Sequence, residues 1–145
     1  MRGDGMRLFH RAKITGTYII EDDAGNVYTK KNVVVQNFFT AVISYLNGTT
    51  TAAIGVTKFG FGTGTTAAAK SDTALEASQF EKSITSASVG STYYKCKVVL
   101  GPSECNFRIR EIGVFAGSTL ISRVNVDKTK TSSNQYTVTY ILTIE

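Results

Sequence analysis

The side chains that could carry out chemistry are few in this chain of 145 residues. It has one histidine, His10, which lies in a basic N-terminal segment. A zinc site, a Ser-His-Asp triad or a Cys-His pair needs a histidine together with further ligands or catalytic partners. His10 alone is therefore interpreted as a surface residue, and the sequence predicts neither a catalytic site nor a metal site.

The two cysteines, Cys96 and Cys105, are expected to be free thiols that point inward. Residues 92–100 and 105–115 have the pattern of a hairpin, in which Cys96 would face Ile109 instead of Cys105. The two sulfurs would then lie about four residues, or roughly 13 Å, apart along the ladder, whereas bridged Cα atoms lie within about 7 Å. Whether the pair is ever oxidised stays open.

The acidic and glycine-rich segments provide no stronger candidate for a cation or phosphate site. Asp22 and Asp23 are adjacent in a turn cluster, and no calcium-loop spacing surrounds them. The run 60–64 (GFGTG) lacks the lysine of a phosphate-binding P-loop, and no helical pattern follows it directly. Both segments are interpreted as turn or strand-end structure, and no cofactor is expected.

Glu111 is the one charged residue whose neighbours alternate toward burial. A change in the parity of apolar residues at Arg110 and Glu111 predicts a β-bulge there. Without a second carboxylate nearby, a structural ion pair is favoured over a catalytic acid. The candidate partners are Arg108, Arg110 and Arg123, and Arg123 is the preferred one.

Composition favours one sheet-rich domain. Apolar residues make up 42% and charged residues 19% of the chain, and β-branched and aromatic residues are common.

No apolar run approaches the roughly 20 residues of a membrane span, and the first residues lack the apolar stretch of a signal peptide, so a protein made in a cytoplasm is expected. The net charge of +5 is spread along the chain, which argues against nucleic acid as a partner.

Periodicity predicts an antiparallel β-sandwich or jelly-roll-like domain with one α-helix, over residues 13–145, behind a basic arm of residues 1–12. The helix is predicted at about 37–47, with Asn37 as N-cap and Gly48 as C′ glycine. About seven or eight strands are predicted, within the ranges 13–20, 27–29, 32–35, 56–61, 92–100, 106–115, 120–126 and 136–144, and 80–89 is a moderately apolar stretch. Loops are expected at 62–72 and 127–134, and a helical turn with capping-box spacing at 73–76.

The predicted helix contains no charged residue, so more than one of its faces should be covered, by its own sheet or by a neighbouring subunit. The N-terminal arm is a second candidate for reaching a neighbour. The candidate assembly-interface residues are Phe38, Phe39, Val42 and Tyr45 on the helix and Arg7 and Phe9 in the arm.

Three segments, in this order, resemble small structural proteins of tailed bacteriophages. The stretch 16–37 is similar to their opening hairpin and "kNlV" segment. The stretch 61–76 resembles the "GTGTT…sDTaLe" stretch of tail-fibre, collar and baseplate-associated proteins, although Ala68 stands where those loops often have proline. The stretch 109–123 is similar to their "I.EiGlF…L..R" segment.

The resemblance implies a non-enzymatic virion component, made in the bacterial host cytoplasm, whose partners are copies of itself and other virion proteins. An assembly or adaptor role in the tail, collar or baseplate is the leading expectation. A capsid decoration protein is one alternative. A receptor-binding module that contacts host-surface glycans is another, with Tyr93 and the loops 62–72 and 127–134 as candidate surfaces.

Overall fold

Alternating apolar and polar residues along most strands turn one face of each of two sheets toward a common core. The computed structural model describes residues 13–50 and 54–145, so the predicted arm with Arg7, Phe9 and His10 lies outside the described residues. The strands are β1 Ile14–Asp22, β2 Val27–Lys31, β3 Val33–Val34, β4 Lys58–Gly62, β5 Ser78–Ser83, β6 Ser86–Val89, β7 Tyr93–Leu100, β8 Arg108–Ala116, β9 Thr119–Thr129 and β10 Tyr136–Ile144. The helix, α1, spans Gln36–Leu46.

Two five-stranded antiparallel sheets form the sandwich. The first sheet has the order β2-β1-β10-β7-β6, and the second has the order β3-β9-β8-β4-β5. The predicted mainly β, antiparallel sandwich with one helix is confirmed, with ten strands in the described residues. None of the described helices is of a length and apolarity that would let it cross a membrane.

Aromatic side chains hold the two inner faces together. Tyr18 of β1 and Tyr140 of β10 are both fully buried, and their ring centroids lie 4.9 Å apart. The Tyr18 hydroxyl reaches across to the second sheet, where it lies 2.6 Å from the Ser122 hydroxyl of β9. Phe59 and Phe61 of β4 belong to the same core cluster; their rings are nearly parallel, and both are fully buried. Because the hydrogen-bond partner of the buried Tyr18 hydroxyl lies on the opposite sheet, Tyr18 also fixes how the two sheets face each other.

The predicted hairpin between residues 92–100 and 105–115 is wrong. β7 pairs with β10 and β6 in the first sheet, whereas β8 pairs with β9 and β4 in the second. The connection between them therefore crosses from one sheet to the other. The Lys130 ammonium holds this connection, since it donates to the Gly101 carbonyl at 2.7 Å and to Asn106 Oδ1 at 2.8 Å. Lys130 is 1% exposed, although it lies in the predicted loop 127–134. The first residues of that predicted loop belong to β9, which extends to Thr129.

Two local predictions about helix geometry also fail. Val35, and not Asn37, occupies the N-cap of α1, and no side chain caps the helix there. Gly48 follows the helix with φ +72°, as predicted for a C′ glycine. The segment 73–76 forms no helical turn, because the Glu76 carboxylate accepts hydrogen bonds from the Thr66 backbone N–H and hydroxyl instead of capping its own segment.

Both thiols should be inert in the folded protein. Cys96 and Cys105 are free and buried, and burial raises the pKa of Cys96 to about 11 and that of Cys105 to about 12, so both remain protonated at neutral pH. An aromatic disulfide reagent should find almost no reactive thiol in the native protein and both thiols in denaturant. Rapid labelling of either cysteine without denaturant would contradict this placement.

Candidate functional site

A β-bulge places the Glu111 side chain outside the core between the sheets. The register of β8 against β9 shifts between Ile109 and Glu111, as the parity change predicted. Ile109 and Ile112 both belong to the core cluster between the sheets, and Glu111 is directed to the opposite face of the second sheet. There it is covered by the segment 63–77, which leaves Glu111 0% exposed.

The Glu111 carboxylate is saturated with donors. One oxygen accepts from the backbone N–H of Gly64 at 2.8 Å and of Ala77 at 2.7 Å, and the other accepts from Glu76 N–H at 2.8 Å and from Arg123 Nε at 2.9 Å. Burial opposes ionisation of Glu111, but these hydrogen bonds and Arg123 outweigh it and lower the pKa of the carboxyl. The structure therefore brings together the two residues of the proposed ion pair, with further donors that the sequence analysis did not identify.

The segment 63–77 is anchored to the second sheet at more than one point. The Arg123 guanidinium, which is 1% exposed, also pairs through Nη1 with Asp72 at 3.1 Å. Asn125 of β9 accepts from Ala68 N–H at 2.7 Å and donates to the Thr66 carbonyl at 2.9 Å. This segment includes residues 63–72 of the predicted receptor-binding loop 62–72, and Gly62 is the last residue of β4. The segment is a structural cover on the sheet instead of a free loop.

The glycines of the run 60–64 make room for this carboxylate. A Cβ atom on Gly64 would lie 2.4 Å from Glu111 Oε2, and one on Gly62 would lie 2.6 Å from the same atom. Both distances are far below van der Waals contact, so the backbone approaches Glu111 closely only because these residues lack a side chain. The pattern that resembles a phosphate-binding loop thus serves an internal carboxylate, for which Gly64 supplies a backbone donor.

No cluster of three or more His, Cys, Asp or Glu side chains with the geometry of a metal site occurs within residues 13–50 and 54–145. In the same part of the chain, the carboxylates of Asp22, Glu76, Glu104 and Glu111 all accept hydrogen bonds from backbone or side-chain donors of their own domain. Asp22, for example, holds the β1–β2 turn through Ala24 and Asn26.

The predicted helical interface residues are divided by the fold. Phe38 packs against the core, and Phe39 and Val42 are half-buried. Tyr45 is 49% exposed. The most exposed apolar helix residues are two that the sequence analysis did not select, Ile43 at 63% and Leu46 at 76%. No residue of α1 is fully buried, so the helix is not covered on several faces within the described residues.

Phe39, Ile43 and Leu46 form a continuous apolar stripe. They are spaced at i, i+4 and i+7 and therefore lie on one side of α1. We call these three residues the helix stripe. Because the helix has no charged residue, its sequence alone could not indicate which side faces the core, and only the packing of Phe38 identifies the stripe as the outer side.

An apolar crevice lies beside the helix at one end of the sandwich. It has a volume of about 180 Å³. Its lining residues are Phe38, Ile54, Gly55, Val56, Tyr94, Ile121, Tyr140 and Leu142. A second groove, of about 370 Å³, shares Tyr94 and Leu142 with it and continues to the exposed side chains of Val89, Tyr93 and Ile144. This end of the molecule is thus open and apolar.

No family model matches the chain, and neither a curated protein nor a solved structure is detectably similar to it. The likeness to phage proteins accordingly rests on the three sequence segments. Two of these segments meet in space, since Glu111 lies in one and its backbone donors Gly64 and Glu76 lie in the other.

The Glu111→Gln variant should be destabilised by about 3 to 5 kcal/mol, because a buried carboxamide leaves Arg123 with Asp72 as its remaining counter-charge and turns an NH₂ group toward backbone donors. Chemical denaturation measures this change. The matched control is Asp127→Asn, which alters the exposed pair with Arg108 (2.8 Å) and should change stability little. Equal effects of the two variants would contradict the assigned role of Glu111.

The stability that Glu111 contributes should depend on pH with a defined sign. Its pKa is lowered by folding, so the contribution is fully present above the unfolded carboxyl pKa of about 4.3 and is lost as the pH falls through the lower folded value. The difference in unfolding free energy between wild type and Glu111→Gln should therefore be constant near neutrality and shrink below about pH 4. A difference that does not change down to acid unfolding would contradict the account.

Proposed function

We propose that the chain is a non-enzymatic structural component of a tailed-phage virion, an assembly or adaptor protein of the tail, collar or baseplate. The observation that carries the proposal is that Ile43 and Leu46 of the helix stripe are largely exposed on an uncharged helix, whose Phe38 lines an open apolar crevice. Large exposed apolar residues that lie together are typical of surfaces that another protein covers. The three phage-like segments are the reason for proposing that this larger assembly is a phage particle.

The occupant proposed for the helix stripe is a second copy of this chain. Each copy carries a formal net charge of +5, so copies repel one another least where they present uncharged surfaces. The helix stripe is such a surface, because α1 contains no charged residue from Gln36 to Leu46. Contacts between identical subunits usually close into a symmetric oligomer, most often a two-fold dimer, and an exposed apolar surface that pairs with its own copy fits this pattern.

The role of the second sheet in this proposal is mechanical. The segment 63–77 and the Glu111–Arg123 pair make that side of the domain rigid, so the helix beside it is presented in a defined orientation. Interfaces that are formed in advance lose less entropy on association than flexible ones. A subunit of this kind contributes binding geometry and no reactive group.

The double variant Ile43→Ser/Leu46→Ser should lose self-association. Removing the two most exposed apolar residues of the helix stripe takes away apolar area from the interface and nothing from the core, so association should weaken by at least about tenfold with the melting temperature unchanged. Analytical ultracentrifugation over a concentration series measures this.

Val27→Ser is the matched control. Val27 is an equally exposed aliphatic residue, at 61%, but it lies on β2, in the first sheet, and not on the helix stripe. The Val27→Ser variant should self-associate as strongly as the wild type. A wild-type chain that is monomeric at all concentrations, or a double variant that associates normally, would contradict the proposed interface.

A further inference from the structure

The four sheet edges of this sandwich are not equally protected. β2 carries Lys30 and Lys31, and β5 carries Glu81 and Lys82, charges that oppose the addition of another strand. β3 has only two residues and leads directly into α1. The fourth edge strand, β6, has the sequence Ser-Ala-Ser-Val, contains no charge and no proline, and is exposed along its whole length. β6 is therefore the edge that is open to a further strand.

The register of β6 shows which of its backbone groups are available. Gly90 N–H donates to the Tyr93 carbonyl at 2.9 Å, which makes these two residues a hydrogen-bonded pair of the β6–β7 ladder. Hydrogen-bonded and non-bonded pairs alternate in an antiparallel ladder, so Ser88 and Ser86 bond to β7. The N–H and C=O groups of Ala87 and Val89 consequently point away from β7, toward the open edge.

Two lysines beside this edge have no ion-pair partner among the residues that the structure describes. Lys95 and Lys97 of β7 stand opposite Ser88 and Ser86, and their exposed side chains lie on the outer face of the first sheet. Neither takes part in a salt bridge with another described residue, whereas Lys82 and Glu81 of the neighbouring β5 are paired with Glu104 and Lys58. A positive potential without a counter-charge therefore accompanies the open edge.

A concavity of about 460 Å³ occupies the same place. Its lining residues include Ser86, Ser88, Lys95, Lys97, Thr139 and Ile141. The one acidic residue in the lining is Glu21 of β1, a strand that lies two positions away from β7 in the sheet. This groove is thus lined by the open edge and by Lys95 and Lys97 together.

We propose that β6 accepts an extended acidic segment of a partner protein as an additional strand, with Lys95 and Lys97 paired to its carboxylates. Backbone hydrogen bonds to Ala87 and Val89 would provide affinity, and the lysines would select an acidic sequence. A second copy of this chain is a poorer occupant than an acidic partner, because antiparallel pairing of two β6 strands would bring both pairs of lysines toward one another. This surface is additional to the helix stripe and does not depend on the virion proposal.

The probe is a short synthetic peptide of alternating valine and glutamate with blocked ends, titrated into the full chain. It should bind, and it should protect the Ala87 and Val89 amides from hydrogen exchange, a readout that requires no mutation. The same peptide with lysine in place of glutamate should not bind. No detectable binding of the acidic peptide, or binding without protection of these two amides, would overturn the proposal.

Two variants separate the backbone and charge contributions. Ala87→Pro removes an N–H that makes no bond to β7, so the fold should persist while peptide affinity falls at least about tenfold. Thr29→Pro is the matched control, since the same register argument from the Asp22–Asn26 bond places Thr29 N–H on the open side of β2, and it should leave binding unchanged. Normal binding by Ala87→Pro would overturn the proposal.

Lys95→Gln/Lys97→Gln should weaken binding of the acidic peptide and remove most of its salt dependence. A heparin fragment serves as the competing polyanion. If the acidic peptide behaves like heparin, with binding that is lost in the lysine variant and intact in Ala87→Pro, the surface is a non-specific anion site and strand addition is overturned. Failure of peptide binding would leave association through the helix stripe unaffected, so the two proposals fail separately.

Discussion

The buried carboxylate of Glu111 is the constraint on which the second sheet depends. A charge without access to water is tolerated only when donors and an opposite charge surround it. The chain meets this requirement by laying the segment 63–77 over the sheet, so that Gly64, Glu76 and Ala77 supply backbone N–H groups and Arg123 supplies the charge. Beside them, a small second core of Val35, Leu75, Phe115 and Leu120 forms under the same cover.

The two sheets are consequently different. The second is packed on both faces, against the first sheet on one side and against the segment 63–77 on the other. The first sheet is packed on its inner face, and its outer face presents threonine, lysine and isoleucine side chains around a groove. The surfaces proposed for partners lie accordingly at the unprotected parts of the molecule, namely the helix stripe, the apolar end and the β6 edge.

Much of the sandwich could be predicted because its strands alternate with a period of two. Tyr136 to Tyr140, for example, is buried at every second position, and the bulge at Glu111 followed from the parity of Ile109 and Ile112. The pairing of strands could not be predicted in the same way. β7 and β8 are neighbours in sequence and have hairpin-like patterns, yet only the three-dimensional packing reveals that the chain crosses between sheets at Gly101.

The candidate sites show the same division. Glu111 could be recognised as a buried ion-pair member, but the choice of Arg123 depends on the β8–β9 register, in which Gly113 lies opposite Arg123. The backbone donors of Gly64, Glu76 and Ala77 have no signal in residue type. On α1, the absence of charge predicted that more than one face is covered, by its own sheet or by a neighbouring subunit, while the same absence removed the polar face that would have distinguished Phe38 from Ile43. Lys130 was missed because a lysine between polar residues normally indicates solvent.

The central claim is that this domain is a subunit of a particle. Quantitative mass spectrometry of purified tailed-phage particles, from a culture that produces the chain, tests it most directly. The account predicts that the chain is present in a fixed and low ratio to the major capsid protein, and a ratio near that of the capsid protein itself would indicate decoration of the shell instead of the tail. Absence of the chain from particles, with the protein recovered only in the unassembled fraction, would contradict the account.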